Sequence, residues 1–155
     1  MSDTSTYTAF INYLPHFCGE KLKYATDGSI GFDLYASVKE KVYIKSFRRE
    51  LIPTGVRINS LDTSWFIYPR SGLAAKYGIT LMNSVAVIDS DYLGEIKVCL
   101  FNSSDEVFIV EPGMRIAQGV INNTDRFEFW EVDKEEFDGY QTSRGIGGFG
   151  STGEK

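Results

Sequence analysis

What this chain of 155 residues has little of narrows its chemistry more than its bulk composition does. It holds two cysteines, Cys18 and Cys99, with no C-x-x-C spacing and no neighbouring His/Cys group. That argues against a structural zinc site and a disulfide framework, and fits a reducing compartment. The one histidine, His16 in YLPHFCGEK, has no serine or cysteine nucleophile to pair with, so a histidine-dependent hydrolase is not expected. His16 reads as a surface or edge residue, and Cys18 beside it as a small buried apolar one. No run approaches the roughly 18 apolar residues that span a bilayer, and MSDTSTYTAF has no basic segment followed by an apolar one. A soluble intracellular protein with no membrane partner is expected, with nothing to separate cytoplasm from nucleus. Basic charge is short as well: 16 lysines and arginines against 21 acidic side chains leave a net charge of -5. Nucleic acid, which needs a clustered basic surface, is not an expected partner. Any bound phosphate must be held by a few placed cations.

What is present is a β-protein. A chain that is 43% hydrophobic and 24% charged suits one globular domain with a real core. KVYIKSF, GVRIN, WFIYP, EIKVCLFN, EVFIV, RIAQGVI and FEFWEV are short runs of alternating apolar residues, rich in β-branched and aromatic types. In EIKVCLFN, Ile96, Val98 and Leu100 share one face. Pro53-Thr54-Gly55, Asn102-Ser103-Ser104-Asp105 and Glu111-Pro112-Gly113 are turns, at the spacing of an all-β barrel or sandwich. Only GLAAKYG, residues 72–78, reads as helix. DKEEFDGYQTS is acidic and aperiodic, and reads as a flexible tether.

Three stretches break the strand pattern with polar groups that such a fold does not need: GFDLYAS, YPRSGLAAKYG and NSVAVIDSDYLG. Ser71 falls just before the short helix, where it suits an N-cap. With Arg70 and the first helical N–H groups it equally suits a phosphate site. Asp89 and Asp91 flank a turn that Asx-turn chemistry alone explains. An ionised Asp89 at a hairpin mouth could also orient a water, with Tyr92 laid against a sugar or base. The end of the chain, RGIGGFGSTG, contains G-x-G-x-x-G at Gly145, Gly147 and Gly150. A dinucleotide fold needs a helix after that motif, and the five residues that follow leave no room for one. A mobile tail and a clamp both remain open for this segment.

In order, SIGFDLYAS, PRSGLAAKYGI, NSVAVIDSDYLG, GMRIAQGVI and RGIGGFGSTG resemble the five motifs of the homotrimeric dUTPase family, over residues 29–153. The resemblance implies an all-β, jelly-roll-like distorted barrel with one short helix. Residues 1–133 would form this barrel domain. Residues 134–155 would be a tether and a glycine-rich C-terminal arm that closes over the active site. The chain would form a homotrimer with three sites shared between subunits, and would convert dUTP to dUMP and pyrophosphate with Mg²⁺. That reaction keeps uracil out of DNA and supplies dUMP for thymidylate synthesis. Asp89 would orient the water that attacks the α-phosphorus in line. Tyr92 would pack on the deoxyribose, and Asn83 with the hairpin backbone around Val87 and Lys97 would read uracil. Arg70, Ser71, Gly72, Gln118 and Arg144 would hold phosphate oxygens. Phe149 would stack on the base, while Gly150, Ser151 and Thr152 grip the far phosphates. Asp33 would meet the metal indirectly, through its water shell.

The motifs depart from the family pattern at three positions. Met114 stands where an aspartate is usual, Ala86 where glycine is common and Ile30 where alanine is common. A methyl at position 86 is expected to crowd the uracil pocket or to shift its backbone. Two alternatives stand beside the hydrolase. One is a dCTP deaminase of the same fold, against which Cys99 stands at the position aligned with that family's glutamate and Gly72 where a second serine is usual. The other is a catalytically silent nucleotide-sensing regulatory protein.

Overall fold

The computed structural model describes residues 8–61, 63–122 and 127–142. The chain divides into two compact units, residues 1–124 and 125–155.

The first unit is built almost wholly from antiparallel strands, in chain order β1 (Phe10–Tyr13), β2 (Gly31–Tyr35), β3 (Val42–Ile44), β4 (Arg49–Pro53), β5 (Val56–Asn59), β6 (Ser64–Tyr68), helix α1 (Ser71–Tyr77), β7 (Ile79–Leu81), β8 (Ala86–Ile88), β9 (Lys97–Asn102), β10 (Phe108–Val110) and β11 (Arg115–Asn122). They form a four-stranded sheet β2-β11-β6-β8, a three-stranded sheet β4-β9-β7, and two ribbons, β1-β5 and β10-β3. This is a jelly-roll-like all-β fold, as the sequence predicts.

Alternation decides which face of each strand is buried. In β9, Val98, Leu100 and Asn102 point inward, and Ile96 just ahead of the strand is buried with them. Phe32 and Leu34 of β2 meet Trp65 and Ile67 of β6 inside the four-stranded sheet, where Gly119 of β11 lies between them. β11 breaks its alternation once. The register shifts between Arg115 and Ala117, so Ile116 and Ala117 are both buried while Arg115 stays on the surface. Such a bulge re-aims the side chains beside it.

The turns follow the chemistry read from the sequence. Gly55 and Gly113 have positive φ, at 66° and 73°. A Cβ on Gly55 would lie 2.7 Å from the Phe17 Cα, so this turn requires glycine. Asn102, fully buried, binds the loop after β9. Its amide donates to the carbonyls of Ile44 and Glu106, at 2.9 and 2.7 Å. Its oxygen accepts from the N–H and hydroxyl of Ser104, at 3.0 and 2.7 Å. Cys18 and Cys99 are free and half-buried.

Three readings of the sequence are corrected in this unit. GFDLYAS and NSVAVIDSDYLG do not interrupt the strand pattern, since Gly31–Tyr35 is β2 and Ala86–Ile88 is β8. The N-cap of α1 is Arg70, extended at φ -90° and ψ 130°, and Ser71 is the first helical residue. The Ala86 methyl packs toward the core, so it does not enter the pocket described below.

In the second unit, residues 127–132, the expected strand FEFWEV, form no strand. Alternation alone makes no strand without a partner to complete its backbone hydrogen bonds. The segment expected as tether holds helix α2 (Lys134–Asp138). Asp133 caps it by accepting from the Glu136 N–H at 2.8 Å, and Glu135 and Glu136 favour the positive end of the helix. α2 is thus a second helix where one was expected.

Candidate active site

The turn between β8 and β9 folds over a pocket of about 330 Å³ lined by Leu51, Val87, Ile88, Asp89, Tyr92, Glu95, Ile96 and Lys97. Four of the expected site residues, Val87, Asp89, Tyr92 and Lys97, therefore come together. Asp89 follows β8 directly, and its carbonyl accepts from the Tyr92 N–H at 3.1 Å, closing a tight turn. The turn exposes the Asp89 carboxylate at the pocket rim. The Tyr92 ring folds back over Gly94, and its hydroxyl donates to the Glu95 carbonyl at 2.9 Å. An exposed aromatic face thus stands beside an exposed carboxylate and an apolar wall.

A second group of expected residues assembles on the outer face of the four-stranded sheet. Register pairs Asp33 of β2 with Gln118 of β11, and Gln118 with Tyr68 of β6. Two residues beyond Tyr68 comes Arg70, whose Nε lies 3.0 Å from one Asp33 oxygen. Arg115 Nη1 lies 3.3 Å from the other. Arg70 Nη1 also donates to the Arg115 carbonyl at 3.4 Å, and Gln118 Nε2 donates to the Pro69 carbonyl at 2.9 Å. The loop that delivers Arg70 and Ser71 is thus fixed from two sides. The first helical bonds run from Leu73 and Ala74 N–H to the Arg70 carbonyl, so the N–H groups of Ser71 and Gly72 precede the intrahelical ladder. A guanidinium, a hydroxyl and free backbone donors are thus neighbours at the start of α1, a donor set that suits an anion.

Arg115, which sequence reasoning did not single out, shares Asp33 with Arg70 and lines a charged hollow of about 250 Å³ with Glu20, Lys21, Lys23, Ala25, Asp33 and Tyr35. Its place in GMRIAQ was the available signal. Partial burial, with the charges of Glu20 and Asp33, pushes the Tyr35 phenol up, so it stays protonated at neutral pH.

The two groups do not meet. Val87 is on β8 and Asp33 on β2, the opposite edges of the four-stranded sheet. Three strand spacings separate them by about 14 Å. Asn83 is exposed in the turn before β8, outside the pocket lining. The Met114 side chain packs against the core. Arg144, Phe149, Gly150, Ser151 and Thr152 lie outside the described residues.

Among the described residues, no three His, Cys, Asp or Glu side chains gather as a metal cage. Asp33 already shares each oxygen with a guanidinium. A carboxylate keeps further lone pairs, so Asp33 suits a hydrogen bond to a metal's water better than direct ligation. Mg²⁺, which retains waters and takes phosphate oxygens, fits that donor set.

A jelly-roll fold with an aspartate-tyrosine pocket and a separate guanidinium-hydroxyl group defines the class: an all-β protein equipped for a nucleoside polyphosphate. The comparisons make this specific. Residues 19–153 match the dUTPase family model. The chain is 50% identical to the deoxyuridine 5'-triphosphate nucleotidohydrolase of Rickettsia canadensis, over 96% of this chain and 99% of that one. The dUTPase of Streptococcus mutans superposes with a TM-score of 0.69 at 28% identity, covering 77% of this chain and 98% of that one. A variant dUTPase of Staphylococcus bacteriophage 80alpha, solved with dUpNHpp, has the same fold at a TM-score of 0.78 and 21% identity, over 96% and 99% of the two chains. The chain belongs to the dUTPase family, and its activity is the hydrolysis of dUTP.

Proposed function

We propose that the chain converts dUTP to dUMP and pyrophosphate at sites shared between the subunits of a homotrimer. The observation that carries this reading is the pocket at the β8–β9 turn, where Asp89, Tyr92 and Val87 stand within one lining.

Asp89 accepts a hydrogen bond from a water and directs its lone pair in line at the α-phosphorus. As the water attacks, the bond from the α-phosphorus to the bridging oxygen breaks and pyrophosphate departs. Tyr92 lies against the deoxyribose, where a 2′-hydroxyl would meet the ring. The hairpin backbone around Val87 and Lys97, with Asn83, reads the uracil edge. Arg70, held by Asp33, presents its remaining N–H groups to phosphate oxygens with Ser71, Gly72 and Gln118. Mg²⁺ bound with the phosphates would neutralise their charge and assist departure of pyrophosphate. Asp33 would accept hydrogen bonds from its water. Arg144 and Phe149 of the C-terminal arm add a phosphate contact and a stacking face, while Gly150, Ser151 and Thr152 cover the far phosphates.

Two observations support self-association. The base pocket and the phosphate group stand at separate places on the sheet, an arrangement in which a partner chain can complete each site. Phe127, Phe129 and Trp130 are strongly exposed, Phe129 at 95%, and a partner subunit would cover such apolar surface.

The test is to incubate the purified protein and Mg²⁺ with dUTP, dCTP, dTTP or UTP, and to resolve products by ion exchange. The proposal expects dUMP and pyrophosphate from dUTP alone. A uracil nucleotide from dCTP would point to a deaminase, and no turnover of any nucleotide would point to a binding protein. Sedimentation equilibrium tests the trimer, and a monomer that turns over dUTP would overturn the shared site.

A further inference from the structure

The only histidine of the chain, His16, has a specific partner. Its Nε2 lies 2.7 Å from an Oε1 of Glu95. That oxygen also accepts from the Gly55 N–H at 2.9 Å, in the turn between β4 and β5. Glu95 therefore binds two segments distant in sequence. One is the N-terminal stretch after β1, and the other is a turn whose glycine geometry admits no substitute. The side chain of Glu95 is 17% exposed and that of His16 36%, so the Gly55 bond is partly shielded from water while the His16 bond lies at the surface.

The main chain of the same residue serves the pocket. The Glu95 carbonyl receives the Tyr92 hydroxyl at 2.9 Å. Immediately before it, Gly94 leaves the space in which the Tyr92 ring lies. A Cβ on Gly94 would stand 2.5 Å from the Tyr92 hydroxyl oxygen and 2.6 Å from Cζ. On the far side of the turn, the Arg57 Nε donates to the Leu93 carbonyl at 2.7 Å. The ring thus rests on a backbone segment, 93–95, that is tied down by Arg57, Gly55 and His16. Tyr92 has two soft side-chain torsions, and its hydroxyl is fixed only as well as the carbonyl that receives it.

We propose that Glu95 is a positioning residue for sugar selection: its carboxylate, held by His16 and the Gly55 N–H, fixes the shelf on which Tyr92 rests. The proposal rests on the reading that Tyr92 packs against the deoxyribose. A ring held in place excludes a 2′-hydroxyl, whereas a ring free to swing makes room for it. Loss of the Glu95 carboxylate therefore relaxes discrimination against UTP more than it weakens dUTP turnover. Glutamine at 95 keeps an oxygen that accepts from Gly55 and His16, so it preserves the shelf.

The experiment measures kcat/KM for dUTP and for UTP with Mg²⁺, in the full-length wild type and in Glu95→Ala, Glu95→Gln, His16→Ala and Tyr92→Ala, with a thermal melt for each. In Glu95→Ala the UTP-to-dUTP ratio of kcat/KM is expected to rise by about five- to ten-fold, the worth of roughly one lost hydrogen bond. His16→Ala shifts the ratio in the same direction by a smaller factor, and Glu95→Gln holds it near wild type. If Glu95→Ala proves poorly folded in the melt, His16→Ala, changed at an exposed position, carries the test. A ratio unchanged in Glu95→Ala and His16→Ala, with Tyr92→Ala raising it, overturns the role of Glu95. Equal loss for both substrates also overturns it, since that reports a purely structural part. An unchanged ratio in Tyr92→Ala itself refutes Tyr92 as the sugar gate, and the proposal with it.

Discussion

Gly119→Ala adds a single methyl group where the four-stranded sheet has no room for one. Gly119 lies in β11, between Phe32 of β2 and Ile67 of β6. Its added Cβ would stand 2.5 and 2.6 Å from the Phe32 Cε2 and Cζ, and 3.1 Å from the Trp65 Cζ3. Ordinary van der Waals contact begins at 3.4 Å, so the Phe32 ring must retreat by about 0.9 Å. It has little freedom to do so. Phe32 is buried, with its centroid 5.9 Å from that of Trp65 and 6.3 Å from that of Tyr24. Overpacking of this kind costs about 1–3 kcal/mol. With a melting shift of roughly 2–4 °C per kcal/mol for a chain of this size, the midpoint should fall by about 2–12 °C. Scanning calorimetry and urea denaturation at one fixed protein concentration measure it. The cause is separable, because Phe32→Leu in the Gly119→Ala background removes the colliding ring edge and should recover part of the loss non-additively. A midpoint equal to or above that of wild type would refute the packing argument. So would a double variant whose losses simply add.

Asp89→Asn keeps the pocket's shape and removes the negative charge, so dUTP binding by calorimetry should persist while turnover falls by at least about 100-fold, the usual worth of a positioned general base. Near-normal turnover would remove Asp89 from the reaction. Asp33→Asn leaves Arg70 without its carboxylate partner, and weaker phosphate capture should raise KM by roughly ten-fold, as for loss of a charge-assisted bond. Asp33→Glu should restore part of that affinity, and an unchanged KM would show that Arg70 needs no anchor. Truncation after Thr142 should leave the circular dichroism and sedimentation of the folded protein intact with little dUTP turnover. Full activity would show that the arm is only a tail.

The strands were legible in proportion to their alternation. EIKVCLFN, with three apolar residues on one face, becomes β9 with that face buried. GFDLY was obscured because Asp33, a candidate site residue, interrupts its apolar run, and AVI because three residues are too few to show alternation. FEFWEV failed for the opposite reason, since its pattern is clear and residues 127–132 still form no strand. A strand needs neighbours, and an alternating run does not name them. α2 was hidden by its charge: Asp133 and the two glutamates read as solvated linker, yet they suit a helix start. Within the candidate site, the residues close in sequence, Val87 to Lys97, were found together because one turn gathers them. The Asp33–Arg70–Arg115 contacts join β2, the β6–α1 junction and β11. Such contacts arise only when the sheet assembles, and so Arg115 went unnoticed.

Asn102 bears on how the protein ages. Asparagine followed by a small residue decays when the next backbone nitrogen attacks the side-chain carbonyl and ammonia is lost through a cyclic imide. Both partners in that reaction are occupied here. The Asn102 amide is engaged through its oxygen and its nitrogen, and the Ser103 N–H donates to the Gly78 carbonyl at 2.9 Å. Attack would require breaking the ties to Ile44, Glu106 and Ser104 within a buried site. The Asn102–Ser103 bond should therefore outlast its exposed counterpart, Asn83–Ser84, and spontaneous deamidation in stored protein should reach the turn before β8 well before it reaches the loop after β9.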